Sequence, residues 1–267
     1  MSEIRVAVIL PAAGASRRFS EAGGLRSKLD EDLGGKPVLQ RTVEAFTKHD
    51  NVVQIIVAGP ADPESAAEFR QRHIDRLSLL GAKLVTGGVT HRYETVRNAL
   101  AHVENCTHIA VHDAARPCIS SEMLDRLFDA ASLHEAVIPV IPVPDTVKRV
   151  RDTGEKLGTS NQVASILGID EERLPPLREV VETIDRTGLF LVQTPQVFSV
   201  ALLRAAYEQS DLTSTDDASL VERMGKRVVA ITGDPRNIKI TYPSDVELAR
   251  AILGVKAPEG RATHKKF

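Results

Sequence analysis

The residues of this chain that could do chemistry gather in a few short stretches. Pro11–Phe19 reads PAAGASRRF, a run of small side chains ending in Arg17 and Arg18. Small residues let a ligand approach the backbone closely, and adjacent guanidinium groups suit an anion. The stretch has neither the GK[ST] of a P-loop nor the GxGxxG spacing, so a phosphate cradle here would be of another kind. Gly23–Leu39 follows as GGLRSKLDEDLGGKPVL, where Arg26 and Lys28 add two cations to a glycine-flanked loop. That loop reads as a flexible basic lid over the turn, better matched to a polyphosphate than to a carboxylate. Lys36, just before the proline that opens a helical pattern, could join these cations, although a Lys-Pro at a helix start is more often structural.

His112–Pro117 reads HDAARP at the end of an apolar run. A carboxylate at a strand end beside a polyphosphate site is the expected holder of Mg²⁺, which takes one or two protein carboxylates and completes its shell from water and phosphate. Asp113 is that candidate. Its plainer role, capping the next helix, is better filled by Ser120 or Ser121. Arg116 either neutralises Asp113 or binds a second phosphate, and His112 reads as a positioning residue rather than a base. In Thr86–Val96, TGGVTHRYETV, the Gly87-Gly88 pair permits close approach and Thr95 falls in the first turns of a helix. This suits a base and ribose lying on a loop; a plain Gly-Gly turn fits equally. Arg186 and Lys239, taken singly, read as surface charges beside apolar strands. STDDAS (214–219) reads as a helix N-cap with acidic first-turn residues, with a second metal ligand as the minor alternative.

The elements that must position these residues are legible in the apolar pattern. Runs at 6–10, 52–59, 82–87, 108–114, 136–143, 189–198 and 227–233 alternate with three- and four-residue periodicity at 38–49, 64–74, 92–103 and 120–132. Strands apolar throughout, separated by helices, predict an α/β fold with a mainly parallel sheet covered on both faces. Ligands then gather at the carboxyl ends of the strands, where Pro11–Arg18, Gly87–Gly88 and His112–Arg116 fall. Residues 142–186 break the alternation: they are charged and turn-rich, and DTVKRV (145–150) and VVETIDR (180–186) alternate like two legs of a hairpin. The expected organisation is one domain from 1–141 and 187–255, a projecting arm at 142–186 with a partly disordered insertion at 157–181, and a flexible tail at 256–267.

Bulk properties exclude several classes. With 267 residues, 42% of them hydrophobic, the chain can bury a full core. A formal net charge of −2 gives no global basic field, and few aromatic side chains are present to stack bases, so nucleic acid is not expected as a partner. Two cysteines, Cys106 and Cys118, make neither a disulfide framework nor a zinc set, which fits a reducing, cytoplasmic setting. The N-terminal apolar run, Val6–Leu10, is too short for a signal peptide core or a membrane span.

The motifs PAAGASRRF, VHDAARP, PVPDTVKRV, TIDRTGLF with QTPQVF, TDDAS and NIKITYPSD occur here in an order that resembles the 2-C-methyl-D-erythritol 4-phosphate cytidylyltransferase family, across roughly residues 4 to 253. The resemblance implies a Rossmann-like sheet with a β-arm that clasps a second subunit, hence a homodimer. It implies that Pro11, Ala12, Ala13 and Gly14, with Ala114, contact CTP, and that Arg18 and Lys28 hold its phosphates. Gly88 and Thr95 would touch cytosine and ribose, Asp113 would hold Mg²⁺, and Lys239 would stabilise the reacting phosphate. Arg116, Thr146 and Arg186 would meet the acceptor, partly across the dimer, with Arg186 also counted among the catalytic cations. Departures are present. Members of the family carry Pro-Lys-Gln around the lid lysine where this chain has Ser27-Lys28-Leu29, so Arg26 is a rival to Lys28. The lid also contains an inserted Gly23-Gly24, the loop before Arg92 is one residue longer, the arm is longer, and Tyr242 replaces a basic or polar residue.

The implied reaction is attack by a phosphomonoester oxygen on the α-phosphorus of CTP, in the non-mevalonate isoprenoid pathway. Both reactants are anions, so the protein must supply positioning and charge neutralisation rather than a nucleophile. Two alternatives accompany this reading: another sugar or polyol phosphate as acceptor, such as ribitol 5-phosphate, and a catalytically inactive nucleotide-sensing or scaffold protein.

Overall fold

The computed structural model describes residues 4–156 and 176–257. Contacts divide the chain into two compact units, the larger ending at Ile141 and resuming at Val192, the smaller spanning Pro142–Leu191.

In the larger unit β1 (Val6–Pro11) lies between β2 (Val52–Gly59) and β4 (His108–Val111), parallel to both, and β2 pairs in parallel with β3 (Ala82–Thr86). Beyond β4 come β9 (Gln196–Ser199), β5 (Ala136–Pro142) and β10 (Val229–Thr232), giving the order β10-β5-β9-β4-β1-β2-β3. The fully apolar sequence of β1 follows from burial on both faces. Val6, Val8 and Leu10 enter one core with Val38, Val43 and Phe46 of α2 (Val38–Phe46) and Leu124 and Phe128 of α5 (Ser121–Ala131). Ala7 and Ile9 enter the other with Val96 and Leu100 of α4 (Arg92–Leu100) and Leu203 of α6 (Val200–Tyr207). Helices α1 (Arg17–Glu21), α3 (Pro63–Leu79), α7 (Ala218–Arg223) and α8 (Ser244–Leu253) complete the unit.

One strand departs from the expected parallel alternation. Residues 189–198 read as a single apolar run, but they form β8 (Phe190–Val192) and β9, interrupted at Gln193–Pro195. Pro195 has no N–H to continue a ladder. After this break β9 runs antiparallel to both of its neighbours, whereas β10-β5, β4-β1, β1-β2 and β2-β3 pair in parallel. Ser120, rather than Asp113, caps α5 by accepting from the Met123 N–H at 3.3 Å.

The smaller unit contains an antiparallel hairpin of β6 (Val147–Lys156) and β7 (Pro176–Ile184), with Val147 opposite Ile184. Arg149 pairs with Glu182 and Arg151 with Glu179, each at 2.5 Å, across its face. The unit runs on to Leu191, five residues past the boundary expected at 186. Of the span 157–181 read as a partly disordered insertion, residues 176–181 are ordered strand in β7; 157–175 lie outside the described residues, as does 258–267 of the tail. Among the described residues no helix is long and apolar enough to cross a membrane.

Candidate active site

The carboxyl ends of β1, β3 and β4 open into one cleft of about 740 Å³, counted to its solvent mouth. Pro11–Gly14, Lys28, Gly88, Arg92, Thr95, Asp113, Ala114 and Lys239 all line it. The sequence places these side chains up to 228 residues apart, from Pro11 to Lys239; the parallel crossovers bring them to one edge.

The backbone walls are fixed by short-range bonds. Ala12 N–H donates to the Ala58 carbonyl at 2.8 Å as β1 ends, and a Cβ on Gly14 would meet no protein atom within 4 Å, so that stretch faces open space. Beside it, at Gly87 and Gly88, glycine is required. A Cβ on Gly87 would stand 2.6 Å from the Gly59 carbonyl oxygen, and one on Gly88 only 2.3 Å from Glu94 Cβ. Thr95 Oγ1 accepts the Gly88 N–H at 3.0 Å, and Asn98 Nδ2 donates to the Gly87 carbonyl at 2.8 Å, which sets the loop ahead of α4.

Asp113 is the electrostatic centre. Its Oδ2 meets Lys239 Nζ at 3.0 Å and Arg116 Nε at 3.2 Å. Burial alone would raise its pKa, but the charges of Lys239, Arg92 and Arg116 outweigh burial and hold the carboxyl well below the usual range. The Asp113 N–H donates to Thr194 Oγ1 at 3.0 Å, and Thr194 Oγ1 lies 3.1 Å from His112 Nδ1. His112 Nε2 is 3.0 Å from the Arg116 carbonyl, which can only accept, so Nε2 carries the proton and Nδ1 takes the Thr194 hydroxyl. Burial pushes the His112 pKa down to about 4, consistent with a neutral ring that holds the 112–116 loop.

Lys28 reaches the cleft from the lid. Its Nζ donates to the Ile240 carbonyl at 3.1 Å. Burial, followed by the charge of Lys239, lowers its pKa to about 8. The lid is not the loose flap that its glycines and charges suggest. Leu29 is buried in the core, and the backbone of Gly24 packs where a Cβ would strike the Phe19 ring at 2.2 Å. Asp30 is tied to α3 by His73 Nε2 at 2.7 Å and by Arg72. Replacing His73 with Phe is expected to lower stability by about 1–3 kcal/mol, because Asp30 would lose a buried partner. A urea titration checks it; an unchanged midpoint would mean that this pair does not fasten the lid.

The rivalry between Arg26 and Lys28 has a geometric counterpart. Lys28 lines the cleft, whereas Arg26 is turned to Glu31 at 3.5 Å and remains exposed. Arg18 is exposed on α1 and is not part of the lining, though its charge contributes to lowering Lys28. Lys36 pairs with Glu44 at 2.8 Å, a structural contact. Thr146 and Arg186 belong to the hairpin unit. Both are exposed, and Arg186 donates to the carbonyls of Val143 at 3.4 Å and of Pro144.

Residues 193–196, part of the QTPQVF motif but given no role in the sequence reading, are a structural hub. Gln193 Nε2 donates to the Asp234 carbonyl at 2.8 Å and Gln193 Oε1 accepts the Asp234 N–H at 3.1 Å, which fixes the segment leading to Lys239. Thr194 serves His112 and Asp113, and its carbonyl accepts from Asn237 Nδ2 at 2.8 Å. Gln196 Oε1 accepts the N–H groups of Asp217 and Ala218 at 3.1 and 3.0 Å. The available signal was three polar side chains, Gln193, Thr194 and Gln196, inside the apolar run 189–198; all three are buried.

The sequence matches the IspD family, described as 2-C-methyl-D-erythritol 4-phosphate cytidylyltransferase, over residues 6–165 and 174–255. The chain belongs to this family. Among curated cytidylyltransferases of that name, it is 36% identical to the protein of Bacteroides thetaiotaomicron over 240 residues, covering 87% of this chain and 96% of the relative. With that of Frankia casuarinae it shares 39% identity over 252 residues, 93% of this chain and 81% of the relative. The crystal structure of the cytidylyltransferase from Thermus thermophilus superposes with a TM-score of 0.68 at 29% identity, covering 94% of this chain and all of that one (100%). The family's fold is therefore that of the present sheet and helices.

Proposed function

We infer that the chain transfers the cytidylyl group of CTP to 2-C-methyl-D-erythritol 4-phosphate, forming CDP-methylerythritol and pyrophosphate. The observation that carries the reading is the convergence of Lys28, Lys239 and ionised Asp113 on one cleft whose other wall is the Pro11–Gly14 backbone. An acceptor phosphate oxygen attacks the α-phosphorus; the new P–O bond forms as the bond to the β-phosphate oxygen breaks, and pyrophosphate leaves with that electron pair. No protein nucleophile is needed, because the acceptor phosphate is already ionised. Lys28 and Lys239 oppose the repulsion between the two anions and neutralise charge that grows on the phosphoryl oxygens. Lys28, partly desolvated by burial, is screened less than a surface lysine, which strengthens its effect. Arg18 draws the triphosphate to the turn, while Gly88 and Thr95 shape the base and ribose side. The family resemblance assigns Arg116, Thr146 and Arg186 to the acceptor, partly across the dimer.

The donor set also fits magnesium. No cluster of three or more His, Cys, Asp or Glu side chains that could cage a metal occurs among the described residues. Both cations that pair with Asp113 fall on Oδ2, and a single ionised carboxylate suits an ion that completes its shell from water and phosphate. Asp113 would hold it, and the ion would supply further charge neutralisation at the triphosphate.

The hairpin unit exposes Val150, Leu177, Val180, Val181, Leu189, Phe190 and Leu191, between 38% and 57% each. Apolar side chains in that number call for a cover, and a second copy related by a two-fold axis supplies the same cover twice. The functional unit is accordingly a homodimer, in the cytoplasm. The test is pyrophosphate release by purified protein with CTP and Mg²⁺, comparing 2-C-methyl-D-erythritol 4-phosphate with ribitol 5-phosphate, alongside sedimentation. Turnover with the first acceptor by a dimer is the expected result. Preference for ribitol 5-phosphate would overturn the acceptor, no release with either would overturn the reaction, and a fully active monomer would overturn the assembly.

A further inference from the structure

Arg92 lines the cleft as the first residue of α4, and the transfer reaction as derived gives it no task. A cation in the first turn of a helix faces the positive end of the macrodipole, so helix stability does not call for it. The fold nevertheless holds it there with a dedicated carboxylate. Arg92 Nη2 donates to Asp217 Oδ2 at 2.7 Å, and Asp217 has 0% exposure. Asp217 Oδ1 accepts the Tyr207 hydroxyl at 2.5 Å, and the Asp217 N–H is bound by Gln196 Oε1. Both carboxylate oxygens are committed, so the side chain has one orientation. Burying such a group is unfavourable unless its partners are in place, and an apolar trio of similar volume would pack without that cost. Stability alone therefore does not account for the arrangement.

What the arrangement does achieve is a fixed cation beside Asp113. The Arg92 side chain retains 31% exposure, and its charge is among those that hold the Asp113 carboxyl ionised. One Nη is spent on Asp217, and the rest of the planar fork keeps its other donors. We propose that Arg92 is a further binding residue for the nucleotide, donating to a phosphate oxygen of CTP and of the pyrophosphate product, and that Asp217 and Tyr207 are positioning residues that aim it into the cleft. This rests on the reading of the cleft as the CTP site.

The experiment is calorimetric titration of CTP, and separately of inorganic pyrophosphate, with Mg²⁺ present, into wild type, Arg92→Gln, Arg92→Lys and Tyr207→Phe, together with steady-state kinetics. Arg92→Gln is expected to weaken both ligands about tenfold or more, as loss of a charged hydrogen bond does. Arg92→Lys should recover part of the loss, and Tyr207→Phe should weaken both ligands by a few-fold. The KM for CTP should rise while the KM for the acceptor stays unchanged, a split that a mere brace would not produce. A folded Arg92→Gln with wild-type affinity for both ligands overturns the proposal, even if it unfolds at lower urea. Should Arg92→Gln not fold, wild-type affinities in Arg92→Lys and Tyr207→Phe overturn it equally. If wild type itself binds neither CTP nor pyrophosphate, the reading of the cleft fails and takes this inference with it; binding by wild type with an unaffected Arg92→Gln defeats the inference alone.

Discussion

Lys28→Ala is expected to lower kcat by about 10²–10³-fold, the range found when one preorganised donor to a developing charge is removed. The fold should survive the change. The Lys28 amine is desolvated and crowded by Lys239 and Arg18, so removing it relieves unfavourable electrostatics even as the bond to the Ile240 carbonyl is lost. Arg26→Ala, which breaks only an exposed pair with Glu31, should remain within about twofold of wild type. The opposite ranking would transfer the role to Arg26. The pH profile gives an independent readout. Because the Lys28 pKa is lowered to about 8 in the free protein, its charge is present below that value and is lost as pH rises through it. Accordingly kcat/KM for CTP should fall on the alkaline side near pH 8, and Lys28→Arg should move that limb upward. His112, neutral above a pKa of about 4, does not supply it. A limb unmoved by Lys28→Arg would assign it to another group.

The sheet and the cleft edge were readable because their signals are local. β2 runs from Val52 to Gly59, the whole of the apolar run at 52–59, and β1, β3, β4 and β5 each begin where their runs begin. Strand ends then located Pro11–Gly14, Gly88 and Asp113 together, since a parallel sheet sends its carboxyl ends to one side. What stayed hidden depends on partners distant in sequence. The acidic pair in STDDAS has the spacing of a helix cap, yet Asp217 is buried against Arg92, 125 positions away. Nothing in the lid sequence marks Asp30, which folding brings to His73 of α3. Glycine and charge suggest an exposed, mobile lid, while its order comes from buried Leu29, from the packing of Gly24 on Phe19 and from the tie of Asp30 to His73. The reversed direction of β9 has no local signal at all: a four-residue strand, Gln196–Ser199, looks alike in either orientation.

Asp113→Asn is expected to lower kcat/KM by about 10²-fold or more and to raise the Mg²⁺ concentration needed for half-maximal rate. The substitution keeps the shape and removes the one negative charge that, among the described residues, pairs directly with Lys239 and Arg116. Those cations, with Arg92 nearby, then repel one another without an intervening carboxylate. Folding stability near neutral pH should therefore fall by about 3 kcal/mol, the scale for breaking a buried pair by removing one partner. The pH dependence of that loss distinguishes electrostatics from packing. The folded-state pKa of Asp113 is depressed below the ordinary aspartate value of 3.8, so its contribution to stability is present above that value and is lost as pH falls toward the depressed one. The gap between wild type and Asp113→Asn in urea unfolding should thus be full above pH 5 and narrow progressively below about pH 4. A gap that stays constant through the acid range would assign the damage to lost packing. An unchanged magnesium requirement would remove Asp113 from the metal and leave it as the counterion that gathers Lys239 and Arg116.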